Sequence, residues 1–168
     1  MEIKFIVDIN AGKLAKWLRI IGYDATLFTD EDDGKMIKIA LNENRVILTK
    51  DSQIMKRRLV TSGKIKAVFI KGDNPKTQLQ QIASALDLDY QFKPFSVCLE
   101  CNQNLIERCK NEVSNLVPPH VLETQSQYME CPSCHRIFWR GTHWQAMSKE
   151  LEKFMTQKQK LSEGSVTI

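Results

Sequence analysis

No run in this 168-residue chain approaches the ~18 consecutive apolar residues of a membrane span. The amino-terminal MEIKFIVDINAGK lacks the cationic head and long apolar stretch of a secretory signal. A cytoplasmic protein with no membrane partner is therefore expected. The chain has no internal repeat and no low-complexity segment. It contains neither G-x-x-x-x-G-K-[ST] nor G-x-G-x-x-G, the glycine-rich loops that cradle phosphates, which argues against a nucleotide-loop enzyme. Residues 1–94 contain no His, so the usual base of a Ser/His/Asp triad is missing there. Residues 95–168 contain no Asp, yet they hold all five Cys.

What is present is the balance of a soluble globular protein, 42% hydrophobic and 26% charged, which excludes fibrous and wholly disordered readings. The net charge of +4 is uneven: residues 1–94 carry 16 Lys and Arg against 12 Asp and Glu, whereas residues 95–168 carry 8 against 8. Two units of different chemistry are expected, and the mildly basic first one suits a polyanion without requiring it. The boundary is expected in Asp89 to Pro94, giving a first domain over 1–94, a second over 95–150 and a polar, fraying tail over 151–168.

The first part alternates short branched runs with helical periodicity. Ile3 to Val7, Ala25 to Phe28, Arg45 to Thr49 and Ile65 to Ile70 read as strands. Between and after them come four helical stretches. Gly12 to Ile21 has Leu14, Trp17, Leu18 and Ile21 on one face. A helix capped by Asp33 points Met36, Ile37, Ala40 and Leu41 inward. Ser52 to Val60 and Lys76 to Leu88 follow. Four βα repeats predict an α/β fold, an open and mostly parallel sheet with flanking helices.

An Asp stands at or just past the end of every strand: Asp8, then Asp30, Asp32 and Asp33, then Asp51, then Asp73. In such sheets the functional crevice lies at the carboxyl ends of the strands, so these side chains can converge on one edge. Crowded carboxylates stay ionised only around a cation, and hard oxygen donors select Mg²⁺ or Mn²⁺, the ions of phosphodiester hydrolysis. The plain alternative is that each Asp is a helix cap or turn residue, a role for which Asp33 and Asp51 are well placed.

The second part is organised by Cys98-x-x-Cys101 and Cys131-x-x-Cys134. Two such pairs complete a closed tetrahedral Zn²⁺ site, structural rather than catalytic, and predict a small zinc ribbon. Cys109 is left over, and His135 offers an unneeded substitute ligand. Phe138 to Trp144 (FWRGTHW) concentrates aromatics with Arg140 and His143. Trp139 and His143 are candidate contacts to single-stranded nucleic acid; packing of the aromatics within the protein is the other reading.

Together the landmarks resemble the PIN-like ribonuclease family named for the C-terminal domain of the Mut-seven protein. They are Asp8, GKLAKWLRIIGYD from Gly12 to Asp24, RVILTKD from Arg45 to Asp51, QLQQI from Gln78 to Ile82, Cys98-x-x-Cys101-Asn102, Val117-Pro118, Cys131-x-x-Cys134 and Trp139-x-Gly-x-His143, in that order. The resemblance spans Phe5 to Met147. It departs at Ile9-Asn10-Ala11, a more polar lead-in than usual, at Phe138 and Arg140, where Tyr and Pro are common, and at Lys50, which keeps the charge of an Arg. It implies a PIN-like nuclease core with a zinc ribbon, and metal-dependent RNA cleavage. The catalytic acidic set it implies is Asp8, Asp33 and Asp51, which hold the metal, with Asp73 as a weaker match. Lys13, Arg19 and Lys50 are the basic residues expected to contact RNA; for Lys13 and Arg19 a solvated helix face is the other reading. A non-catalytic RNA-binding or adaptor module with a degenerate nuclease core is the rival reading, and a phosphohydrolase of small substrates a third. RNA is the expected partner; a homo-oligomer or a protein partner stays open.

Overall fold

The computed structural model describes residues 2–163. The chain divides between Asn102 and Gln103 into two compact units.

In the first unit, β1 (Lys4–Asp8), β2 (Asp24–Phe28), β3 (Arg45–Thr49) and β4 (Ala67–Phe69) form one sheet in the order β2-β1-β3-β4, with every pair parallel. A 3₁₀ turn (Ile9–Ala11) leads from β1 into α1 (Gly12–Ile20), and α2 (Asp33–Glu43) joins β2 to β3. α3 (Ser52–Met55) and α4 (Arg58–Thr61) precede β4, and α5 (Pro75–Leu86) follows it. The α/β expectation is met, with a parallel sheet flanked by helices.

Strand alternation sends successive side chains to opposite faces. Ile6, Phe28 and Ile47 meet Met36 and Ala40 of α2, Ile54 of α3, and Leu59 and Val60 of α4 in one cluster. Phe5, Val7, Val46 and Leu48 are buried on the alternate face. α1 and α5 pack against each other.

Two local expectations change. On α2 the inward residues are Met36, Ala40 and, in part, Ile37 and Ile39, while Leu41 is exposed. At 100° per residue Leu41 falls about 140° from Met36, whereas Ile39 falls only about 60° away. The expected helix from Ser52 to Val60 is broken at Lys56 and Arg57. One straight helix would set Leu59 about 140° from Ile54; the break lets both reach the same cluster.

Just past α1 stands Gly22, whose φ of 96° suits glycine, and a Cβ there would lie 2.2 Å from the Lys93 carbonyl oxygen. The segment that presses so close is fixed by Lys93 N–H donating to Ile21 O (3.1 Å) and Phe95 N–H to Ile20 O (2.8 Å). Tyr23 stacks on Phe92 at 4.6 Å between ring centroids.

The second unit holds β5 (Ile106–Arg108), α6 (Lys110–Val113), α7 (Pro119–Thr124), β6 (Tyr128–Glu130), β7 (Ile137–Phe138) and α8 (Thr142–Glu163). Its sheet is antiparallel in the order β5-β6-β7. Val113, Val117, Val121 and the fully buried Tyr128 form its core, with Leu122, Ile137 and Trp139 packed against them. The stretch after Phe154, polar enough to suggest a frayed tail, continues α8 as far as Glu163. Residues 164–168 of that expected tail lie outside the described residues.

Candidate functional site

The strand order reverses between β1 and β3: the chain leaves β1 for one side and returns to build on the other. At such a switch point the connections diverge and open a crevice beyond the carboxyl ends of the two strands. Asp8 ends β1, and Thr49 ends β3 two residues before Asp51. The register pairs Ile6 with Ile47, so alternation brings Asp8 and Thr49 side by side on one face. The fully buried Thr49 hydroxyl donates to Asp8 Oδ2 (2.9 Å) and accepts from the Asp51 backbone N–H (3.0 Å). One hydroxyl thus joins the Asp8 carboxylate to the backbone of Asp51. Asp8 is 9% exposed, and Thr49 is the only hydrogen-bond partner of its carboxylate among the described residues. Asp51 also caps α3, its Oδ1 accepting from Gln53 N–H (2.7 Å).

The other acids are placed differently. The cap of α2 is Asp32, not Asp33: Asp32 Oδ1 accepts from Gly34 N–H (2.8 Å). Asp30 pairs with Lys35 (2.6 Å). Asp33 is thereby released from capping and lies 3.9 Å from the Arg57 guanidinium. Asp73 is exposed and forms an ion pair with Lys50, which holds its carboxyl below the usual carboxylate range. Among the described residues the acids form no group of three with all ligand atoms as close as those of the cysteines.

The sulfurs of Cys98, Cys101, Cys131 and Cys134 all lie within 4.8 Å of one another. Tetrahedral zinc with bonds of ~2.3 Å sets sulfurs about 3.8 Å apart, so the donor set suits a metal such as zinc and the zinc-ribbon expectation. Each CxxC makes the same turn. Asn102 N–H donates to Cys98 O (3.0 Å) and His135 N–H to Cys131 O (2.9 Å). Asn102 and His135, each just after the second Cys, both take left-handed backbone, φ 57° and 59°.

A polar network fastens the first of these turns. Asn102 Oδ1 accepts from Ala25 N–H (2.9 Å), and its Nδ2 donates to Asp24 Oδ1 (2.6 Å). Arg45 grips the same carboxylate in a two-pronged contact (2.7 and 3.1 Å). Arg19 donates to Ala25 O (2.9 Å), Leu99 O (2.6 Å) and Glu100 O (3.3 Å). Burial pushes the Asp24 carboxyl up, but Arg45 and Asn102 together outweigh it and hold it below its ordinary range. A depressed folded-state pKa contributes stability that is complete above the unfolded value of ~3.9 and lost as pH falls through the folded value. Asp24→Asn is therefore expected to lower stability near neutral pH and flatten its acid limb below about pH 4, measured by urea melts across pH. An unchanged acid limb would remove Asp24 from this account.

A family model described as the Mut7-C RNAse domain matches residues 3–151. The chain belongs to the Mut7-C RNAse domain family. No curated protein and no solved structure matches it.

In this Mut7-C RNAse domain, the residues expected to contact RNA are placed as follows. Arg19 is 6% exposed, and its Nε and Nη1 donate to the carbonyls of Ala25, Leu99 and Glu100, so it holds the Cys98–Cys101 turn. Trp139 packs on the core of the second unit. Gly141 makes room for it, since a Cβ there would lie 3.0 Å from the indole Nε1. Lys50 is engaged with Asp73. Lys13 and His143 are exposed. Arg140 lies over the Trp144 ring, 5.0 Å from its centroid. Sequence reading missed Thr49, Asp24, Arg45 and the bonding role of Asn102. For Arg19 a signal existed: it stands four residues after Ala15 and five after Leu14, on the apolar side of α1.

Proposed function

We propose that this chain hydrolyses RNA phosphodiester bonds at a Mg²⁺ or Mn²⁺ site built on Asp8 and Asp51 with Asp33, and that its four cysteines bind one structural Zn²⁺. The observation that carries this reading is the Thr49 hydroxyl joining Asp8 and Asp51 at the switch point of a sheet, in a chain of an RNase-domain family. The donors fit the ion: carboxylate oxygens are hard ligands, and Thr49 leaves Asp8 Oδ1 without a protein partner among the described residues. When bound, such an ion activates water and stabilises the leaving oxygen of a phosphodiester.

The chain's own residues supply position and charge. Thr49 keeps the Asp8 carboxylate in a single orientation, because its hydroxyl is itself fixed by the buried end of β3. Asp32 takes the capping load of α2, which leaves Asp33 available as a third ligand. Asp73 serves to orient Lys50 near the end of β3 rather than to ligate. Four thiols grouped as metal ligands fit a reducing cytoplasmic compartment.

The test is cleavage of an end-labelled RNA with Mg²⁺ or Mn²⁺ added and omitted; cleavage that ignores both ions would overturn the reading. Thr49→Val keeps shape and removes the hydroxyl. It is expected to raise the Mg²⁺ concentration for half-maximal cleavage by about 10–100-fold, the usual effect of losing a group that orients a metal ligand, with Thr49→Ser restoring it. A rival reading, RNA binding without cleavage, draws support from Asp33 and Asp73, both of which face cations of this chain. It predicts RNA affinity that survives Asp8→Asn with no turnover on any RNA.

A further inference from the structure

Residues 52–72 contain six cations, Lys56, Arg57, Arg58, Lys64, Lys66 and Lys71, and no acid. The ordinary uses of surface charge do not explain the first three. They occupy the break between α3 and α4, where Leu59 and Val60 turn inward to the core while Lys56, Arg57 and Arg58 stay exposed. Three adjacent like charges repel one another. Among the described residues Lys56 and Arg58 have no ion-pair partner, and Arg57 has only Asp33, at 3.9 Å. Lys64 and Lys66 differ: they precede β4, at the amino end of an edge strand, where lysines commonly discourage edge-to-edge pairing.

The Arg57–Asp33 contact fixes where the triplet sits. Asp33 opens α2 just after the carboxyl end of β2, so the exposed cations border the edge that carries Asp8 and Asp51. Lys71, past the carboxyl end of β4, lies on the same edge.

We infer that Lys56, Arg57 and Arg58 form the surface that receives the phosphodiester backbone of an RNA strand and leads it to the acidic edge. This rests on the ribonuclease reading and adds the path of the substrate. The contacts are to phosphate rather than base, because residues 52–68 contain no Phe, Tyr or Trp on which a base would stack. Binding there is accordingly independent of sequence and strongly dependent on salt.

The test uses the full chain, a fluorescein-labelled single-stranded oligouridylate of about 20 nucleotides, and fluorescence anisotropy without added Mg²⁺ or Mn²⁺. Lys56→Gln/Arg58→Gln leaves Leu59, Val60 and the Arg57–Asp33 pair in place. Losing two phosphate contacts on a single strand is expected to reduce the magnitude of the log Kd against log salt slope by about 1.4. At 0.1 M salt that corresponds to roughly 25-fold weaker binding, vanishing towards 1 M. Lys64→Gln/Lys66→Gln removes the same charge from the same connection at the opposite end of the strands, and is expected to change Kd less than about twofold. Lys56→Arg/Arg58→Lys is expected to keep the wild-type slope, and an oligoadenylate to follow the oligouridylate. Equal weakening by the two Gln doubles, or an unchanged slope in the first, would overturn the inference. Its failure is separable from that of the ribonuclease reading: cleavage with unchanged KM in the first double sinks the surface alone, whereas a salt-sensitive loss of binding in a chain that never cleaves RNA sinks the nuclease alone.

Discussion

Asp8→Asn/Asp51→Asn is expected to reduce metal-dependent RNA cleavage by about 10³-fold, equivalent to about 4 kcal/mol of lost transition-state stabilisation. The amide keeps the shape of each side chain while removing the anionic donor. Asn at position 51 still offers an oxygen to Gln53 N–H, so the cap of α3 survives. Asn at position 8 still accepts from Thr49, so the two strand ends keep their tie. The loss should therefore appear in kcat with little change in melting temperature. It should also leave the salt dependence of RNA binding intact, because neither residue contributes positive charge to phosphate. Wild-type cleavage by the double variant would remove the acidic edge from the reaction.

Cys101→Ser is expected to abolish tight metal binding. Elemental analysis should fall from about one zinc per chain to near none. Structural zinc in small folded peptides has an apparent binding free energy of about 10–16 kcal/mol, comparable with the whole stability of many domains. The effect should be local in a way hydrogen exchange can read. The Asn102 and His135 amides, bonded back to Cys98 O and Cys131 O, should lose protection together, although they lie in different CxxC turns. Amides of β1 and β3 should stay protected, since the cluster around Ile6 and Ile47 contains no cysteine. Zinc-free protein with unchanged exchange at Asn102 and His135 would show that the turns hold without a metal.

β1 and β3 were legible because each is a short branched run buried on both faces, a pattern that survives any detail of packing. The cysteine centre was legible because its spacing is the chemistry. The choice between Asp32 and Asp33 as cap was not, since both are good capping residues and only the backbone angles at Asp32 decide. The break at Lys56 and Arg57 follows from the requirement that Ile54 and Leu59 share one core, which becomes visible only when the sheet beneath them is known. The Asp24–Asn102 contact joins residues 78 positions apart through single hydrogen bonds. Nothing in local periodicity encodes such a pairing. Thr49 lay in plain view inside RVILT, but its polar hydroxyl reads as an ordinary strand residue until Asp8 stands beside it.

One feature of β2 reaches beyond the metal turn it helps to secure. β2 ends the sheet on one side, where an uncovered strand would present a ladder of open amides and carbonyls to any passing chain. At Ala25 both groups are already occupied, the N–H by Asn102 and the C=O by Arg19. Two side chains thus imitate the neighbour that the strand lacks. The rim is thereby blocked at Ala25, and the residues that block it are those that fasten Cys98 and Cys101, so a lesion there uncovers that stretch of border as well as loosening a turn.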